Sequence, residues 1–246
     1  MRILTPKQEI LLKDERRILN DLRVEFGQLE AQPEDEESLK QSIQQLDELF
    51  LIVVVGEFNS GKSLVINALL GQSLLEEGVT PTTTQLQILR YGQAREKATV
   101  DDRQVVLTSP VEFLTELCIV DTPGTNAIVR EHETITSQFV PRSDLVLFVT
   151  SADRPFTESE RVFLEYIREW GKKVVFVVNK IDILQNEKEI NQVVTFVREN
   201  AHRCMGISPV VFPVSARMAL RAKLDESFRG QESRFAMSHN RERSNL

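Results

Sequence analysis

An apolar run that breaks into a glycine-framed loop constrains this chain more than any other feature. Residues 51–63 read LIVVVGEFNSGKS. Five β-prone residues predict a buried strand. Gly56 and Gly61 then let the chain turn back, so that successive backbone N–H groups face one point. An apolar helix follows (Leu64, Val65, Ile66, Ala68, Leu69, Leu70) and aims its positive dipole end at the same point. Strand, loop and helix in this order predict a phosphate-binding loop whose turn is Gly56, Glu57, Phe58, Asn59, Ser60 and Gly61. Lys62 is placed to reach the β- and γ-phosphates of a nucleotide, and the Ser63 hydroxyl to take one position on Mg²⁺.

From Phe50 onward strand and helix signals alternate. Strands are expected at 50–55, 85–91, 117–120, 144–150, 173–178 and 210–214, and helices at 62–71, about 130–140, 157–170, 187–201 and 216–225. Near-continuous apolar strands such as VLFV and VVFVV imply burial on both faces. The expectation is an α/β fold: a mostly parallel, doubly wound six-stranded sheet with binding loops at the strand C-termini. Residues 92–110 are polar and irregular, consistent with a hairpin. The tail after Ser227 is poor in apolar residues and is expected to be disordered, so that 50–227 form the globular domain.

Residues 1–49 read as an N-terminal helical hairpin. Thr5-Pro6-Lys7-Gln8 is a capping-box pattern with Pro at the first helical position, and a helix should run to about Ala31. Leu11, Ile18, Leu22 and Leu29 share one stripe, with Phe26 beside it. Gln32-Pro33 breaks the chain, and Leu39, Ile43, Leu46 and Leu49 mark a second helix. Two readings of the first helix stay open. Its stripe packs on the globular domain, or it belongs to a bundle whose other members lie outside this chain.

Composition removes several classes. The 246 residues carry a net charge of −7 and no basic stripe, which argues against nucleic acid as a partner. Cys118 and Cys204 lack ligand spacing and read as structural. No apolar run approaches the roughly 20 residues that span a bilayer, so membrane contact is expected to be peripheral and to come from sequence not present here. Trp170 and the phenylalanines at helical spacing read as core.

Three further loops belong to the same site. The strand ending at Val120 runs into Asp121-Thr122-Pro123-Gly124; the carboxylate can hold Mg²⁺ through water, and the Gly124 N–H can sense the γ-phosphate. Val178 is followed by Asn179-Lys180-Ile181-Asp182. The Asp182 carboxylate can accept from both the ring N–H and the exocyclic amine of guanine, a pairing adenine cannot offer. Asn179 ties loops together, the Lys180 stem can lie over the ring, and Ser215-Ala216 can present a backbone N–H to the guanine O6. In Gly78-Val79-Thr80-Pro81-Thr82-Thr83-Thr84 one threonine should close on Mg²⁺ and the γ-phosphate, Thr83 before Thr82. The metal set is thus Ser63, Thr83 and Asp121, and the nucleotide GTP or GDP.

These strings resemble the dynamin superfamily, in particular its bacterial and plastid Fuzzy-onions-like, mitofusin-related branch. The matching stretches are VVVGEFNSGKS, INALLG, EGVTPTT, IVDTPGTN, SADRPFTESE and NKIDI, over roughly residues 45–225. The resemblance implies a GTPase that self-associates through its nucleotide face and remodels or fuses membranes, in the cytoplasm or plastid stroma. Such proteins carry long helical regions after the GTPase domain, which this chain does not reach.

Two departures bear on mechanism. Thr125 stands where Ras-like proteins have a water-orienting Gln, and Phe58 where other dynamins have Gln. Asn59 occupies the position at which some K⁺-activated GTPases hold a monovalent cation, so slow hydrolysis raised by dimerisation and K⁺ is expected, with Lys62, Thr83, Asn59 and Gly124 as the catalytic set. The competing expectation is a Ras- or Era-like switch that recruits a partner in its GTP state.

Overall fold

The computed structural model describes residues 5–28, 35, 39, 50–76, 85–101, 104–123 and 139–225. Helix α1 spans Pro6–Gln28. Its start is the capping box read from the sequence. The Thr5 N–H and hydroxyl both donate to Gln8 Oε1 at 2.8 Å, and the Gln8 N–H donates back to Thr5 Oγ1 at 3.4 Å. Along α1 the side chains of Ile10, Leu11, Ile18 and Val24 are more than half exposed. Of the second helix of the expected hairpin only Asp35 and Leu39 fall among the described residues, both helical; Ile43, Leu46 and Leu49 lie outside them, as do Leu29 and the tail beyond 225.

The globular part is built on one sheet. Its strands are β1 Leu51–Val55, β2 Leu86–Tyr91, β3 Glu96–Thr99, β4 Gln104–Ser109, β5 Cys118–Asp121, β6 Leu145–Ser151, β7 Val174–Asn179 and β8 Val210–Pro213. They lie in the order β3-β4-β2-β5-β1-β6-β7-β8. Pairing is parallel from β5 through β1, β6 and β7 to β8, while β2 runs antiparallel to β5. Among the described residues four helices cover it: α2 Lys62–Leu70, α3 Glu158–Glu169, α4 Glu187–Met205 and α5 Ala216–Leu224; the helix expected at about 130–140 falls, up to residue 138, outside the described residues.

The six expected strands are all present, but among the described residues the sheet has eight. The addition is the β3–β4 hairpin in the 92–110 stretch, which joins through β4 running parallel to β2. Every residue of β3 is exposed. An edge strand of Glu, Lys, Ala and Thr has no face to bury, so it leaves no apolar period, and charge on an edge discourages unwanted pairing.

Burial on both faces is visible along β1. Leu51, Val53 and Val55 enter one core with Phe148, Phe163, Leu164 and Phe176, while Ile52 and Val54 enter the other with Val65, Ile66 and Leu220. Each such side chain contributes roughly 1.5–3 kcal/mol on burial. The Phe148 and Phe176 rings meet at 5.3 Å between centroids, tilted by 43°. Cys118 is buried in β5 and Cys204 half-buried in α4, without a disulfide. Trp170, expected in the core, is 47 % exposed. It is the C-cap of α3, past the last residue of the helix and just before the chain enters β7.

Candidate nucleotide-binding site

The phosphate loop leaves β1 through three residues of positive φ: Gly56 at 149°, Asn59 at 64° and Gly61 at 86°. A Cβ on Gly56 would lie 2.0 Å from the Val149 carbonyl oxygen, and one on Gly61 2.4 Å from Asn179 Nδ2. Both glycines are therefore required by close approach as well as by backbone conformation. Gly61 is the N-cap of α2 and supplies no side-chain cap, so the first N–H groups of the helix remain available to an anion.

Lys62 is buried, and its ammonium donates to the Gly56 and Glu57 carbonyls, each at 3.1 Å. Burial lowers its pKa, opposed by the charges of Asp121, Glu160 and Glu57. Asp121, at the end of β5, is fully buried; burial pushes it up to about 6, against the pull of Lys62 and the Ser63 hydroxyl. Ser63 Oγ donates to Asp121 Oδ2 at 2.7 Å, and Asp121 Oδ1 has no hydrogen-bond partner. Thr122 Oγ1 donates to the Val54 carbonyl at 2.8 Å, which fixes the strand end against β1.

Hard oxygen donors therefore converge beside a buried lysine. A hydroxyl and a carboxylate with one unpaired oxygen fit Mg²⁺, which takes one or two protein oxygens and fills the rest of its shell with phosphate and water. No cluster of three or more His, Cys, Asp or Glu that could hold a metal ion occurs among the described residues.

The opposite end is closed by bonds within the protein. Asn179 Nδ2 donates to the Ser60 carbonyl at 2.9 Å, and Asn179 Oδ1 accepts from the Ala216 N–H at 3.1 Å. One buried amide thus joins the phosphate loop to the start of α5. Asp182 accepts from the Ser215 hydroxyl and from Arg217 Nη2, each at 2.6 Å. Burial would raise Asp182, but these donors outweigh it and hold the carboxyl below its usual range. Lys180 adopts a left-handed conformation at φ 64°, and its ammonium lies 3.9 Å from Asp153 Oδ1.

Of the residues singled out from the sequence, Gly56, Glu57, Asn59, Ser60, Gly61, Lys62, Ser63, Asp121, Asn179, Lys180, Asp182, Ser215 and Ala216 all sit at the C-terminal ends of β1, β5, β7 and β8, in the loops that follow them or in the first turns of α2 and α5. Thr83 and Gly124 lie outside the described residues, as does Thr82. Sequence reasoning missed Asn67, Glu160 and Arg217. Asn67 is fully buried in α2; its Oδ1 accepts from the Leu74 and Leu75 N–H groups and its Nδ2 donates to the Leu75 carbonyl, all at 2.9 Å. A lone Asn inside an apolar helix was the available signal, since a buried amide must find partners.

With this geometry in hand, comparisons with known proteins agree on the class. A family model described as "50S ribosome-binding GTPase" matches residues 51–180. The chain is 43 % identical over 227 residues to "Probable transmembrane GTPase FZO-like, chloroplastic" of Arabidopsis thaliana, covering 90 % of this chain and 25 % of that protein. It is 30 % identical over 174 residues to "Bacterial dynamin-like protein" of Nostoc punctiforme, again over 25 % of that protein. The chain thus spans about a quarter of these two relatives. A solved structure from an oligomerised bacterial dynamin pair matches 99 % of this chain and 44 % of its own, with a TM-score of 0.66 at 18 % identity, which is a likeness of fold.

Proposed function

We propose that this chain, which belongs to the GTPase family of that model and whose globular part is homologous to dynamin-like and FZO-like GTPase domains, binds GTP with Mg²⁺ and hydrolyses it to GDP and phosphate. The observation that carries the reading is the Asn179 bridge, which holds a guanine-type base selector and a phosphate loop in one rigid frame. On this reading Lys62 leaves the Gly56 and Glu57 carbonyls for the β- and γ-phosphates. Asp182 accepts from the guanine ring N–H and amine, and the Ala216 N–H lies toward the O6. Bound Mg²⁺ would neutralise charge on the transferred phosphoryl group, and Ser63 and Asp121 are the described residues that would hold it. Thr83 and Gly124 are proposed to close on the same group from the two switch segments.

Asn59 is proposed to hold a K⁺ ion next to the phosphates. Its left-handed conformation turns the loop at that point, and no water-orienting Gln follows Asp121-Thr122-Pro123-Gly124. Self-association through the nucleotide face and a part in membrane remodelling are proposed for the longer protein, by analogy with its relatives. No helix among the described residues is long and apolar enough to cross a membrane.

The test is GTP turnover across a range of protein concentrations in KCl and in NaCl, with Lys62→Ala as control. Specific activity should climb with concentration, be higher in KCl and vanish in the variant. Turnover that survives Lys62→Ala would overturn the site assignment, and turnover independent of concentration and cation would overturn dimer and K⁺ activation.

A further inference from the structure

Lys62, Asp121 and Glu160 are the charged side chains buried among the described residues, and the site above uses only the first two. Glu160 is 1 % exposed. It sits at the third position of α3 and completes a capping box: its Oε2 accepts from the Thr157 N–H at 3.0 Å, while the Glu160 N–H donates to Thr157 Oγ1 at 3.4 Å. A cap alone would sit at the surface and need nothing more. Here the same Oε2 also accepts from Thr150 Oγ1 at 2.9 Å, and the Phe156 N–H donates to that hydroxyl at 3.2 Å. The Glu57 backbone N–H favours the charged form from the phosphate-loop side, and Ser159 Oγ donates to Glu57 Oε1 at 3.3 Å. One buried carboxylate therefore joins the end of β6, the first turn of α3 and the phosphate loop.

We propose that Glu160 is a positioning residue for the phosphate loop and takes up a proton when a guanine nucleotide binds, an inference that rests on the nucleotide site proposed above. The charged groups around it set the direction. The Lys62 ammonium and Glu57 carboxylate face it from the phosphate loop and α2, Asp153 and Arg154 from the β6–α3 loop, and Lys180 from the end of β7; Glu158 and Arg161 lie on its own helix. Burial together with Glu57 already pushes Glu160 up to about 7, against its hydrogen bonds. A nucleotide brings phosphate charge to the same loop and draws the Lys62 ammonium onto itself. Both changes disfavour a second anion behind the loop, so a proton moves from solvent to a Glu160 oxygen and no other bond changes.

The experiment is calorimetric titration of GDP into the chain at pH 7.5, in two buffers of different ionisation enthalpy, for the wild type and Glu160→Gln. The wild type should take up about 0.3 proton more per nucleotide than the variant. Subtracting the variant removes titrations of Asp121 and of the nucleotide. Equal proton counts in two proteins that both bind GDP would overturn the inference and leave a structural cap. Absence of GDP binding by the wild type would overturn the nucleotide reading, and this one with it. Should Glu160→Gln fail to fold, Thr150→Val decides. Loss of that hydroxyl donor should move the pH of maximal proton uptake upward, and an unmoved profile would overturn the proposal.

Discussion

The two ends of the candidate site are built differently. At the base-selecting end Asn179, Asp182, Ser215 and Ala216 satisfy one another through side-chain and backbone bonds of 2.6–3.1 Å. At the phosphate end two buried polar atoms lack a partner. Ser60 Oγ and Asp121 Oδ1 are buried without a hydrogen bond, and a buried ammonium rests on loop carbonyls. A satisfied network is pre-organised and reads its ligand by fit. An unsatisfied one stores unfavourable charge until phosphate and metal arrive. The base end is therefore expected to set which nucleotide binds, and the phosphate end what binding does.

This contrast can be broken in order of effect. Lys62→Ala should lower GTP turnover by at least ~100-fold, since it removes a charge aimed at the transferred group. The preference for GTP over ATP should be unchanged, which competition binding would check. Asp182→Asn should do the reverse. It replaces an acceptor by a donor, so GTP affinity should fall by roughly 100-fold with xanthosine triphosphate gaining, because buried polar groups are left unpaired on guanine. If turnover at saturating nucleotide fell as far as in Lys62→Ala, the division between the ends would not hold.

A third prediction concerns pH. Asp121 and Glu160 titrate at about 6 and about 7, above the ordinary carboxylate range of the unfolded chain. Between those values the folded chain binds protons that the unfolded chain does not, so stability rises as pH falls through that window and is lost as pH rises above it. Without nucleotide, urea midpoints should increase from pH 7.5 to 5.5, and Asp121→Asn should flatten the slope. A midpoint that drops over that range would remove the stored-charge account. The smallest effect belongs to Arg217→Ala. Its pair with Asp182 involves a largely exposed guanidinium, worth about 1 kcal/mol or less. GDP affinity should shift by no more than about five-fold.

The same contrast explains what was legible in the sequence. Glycines with positive φ, a lysine on a helix start and NKID after an apolar strand are local signals, and the structure brings those residues to one end of the sheet. The Thr5–Gln8 cap was equally local. Glu160 was not legible, because Thr157-Glu158-Ser159-Glu160 reads as an ordinary cap. It lies against a loop about a hundred residues earlier in the chain, through the Glu57 backbone N–H. Arg217 escaped for the opposite reason: an exposed arginine in the first turn of α5 carries no pattern until the turn brings it to Asp182. The β3–β4 hairpin was underread because its outer strand buries nothing, so backbone pairing alone defines it. Trp170 was misplaced because helical spacing says nothing about where the helix ends.

The most direct test of the account is displacement of bound GDP by GTP and by ATP, with and without Mg²⁺, for the wild type and Asp121→Asn. GTP should displace at concentrations at least ~100-fold below ATP in both proteins. Mg²⁺ should tighten GTP in the wild type far more than in the variant. Equal displacement by ATP and GTP, or a Mg²⁺ effect untouched by Asp121→Asn, would contradict it.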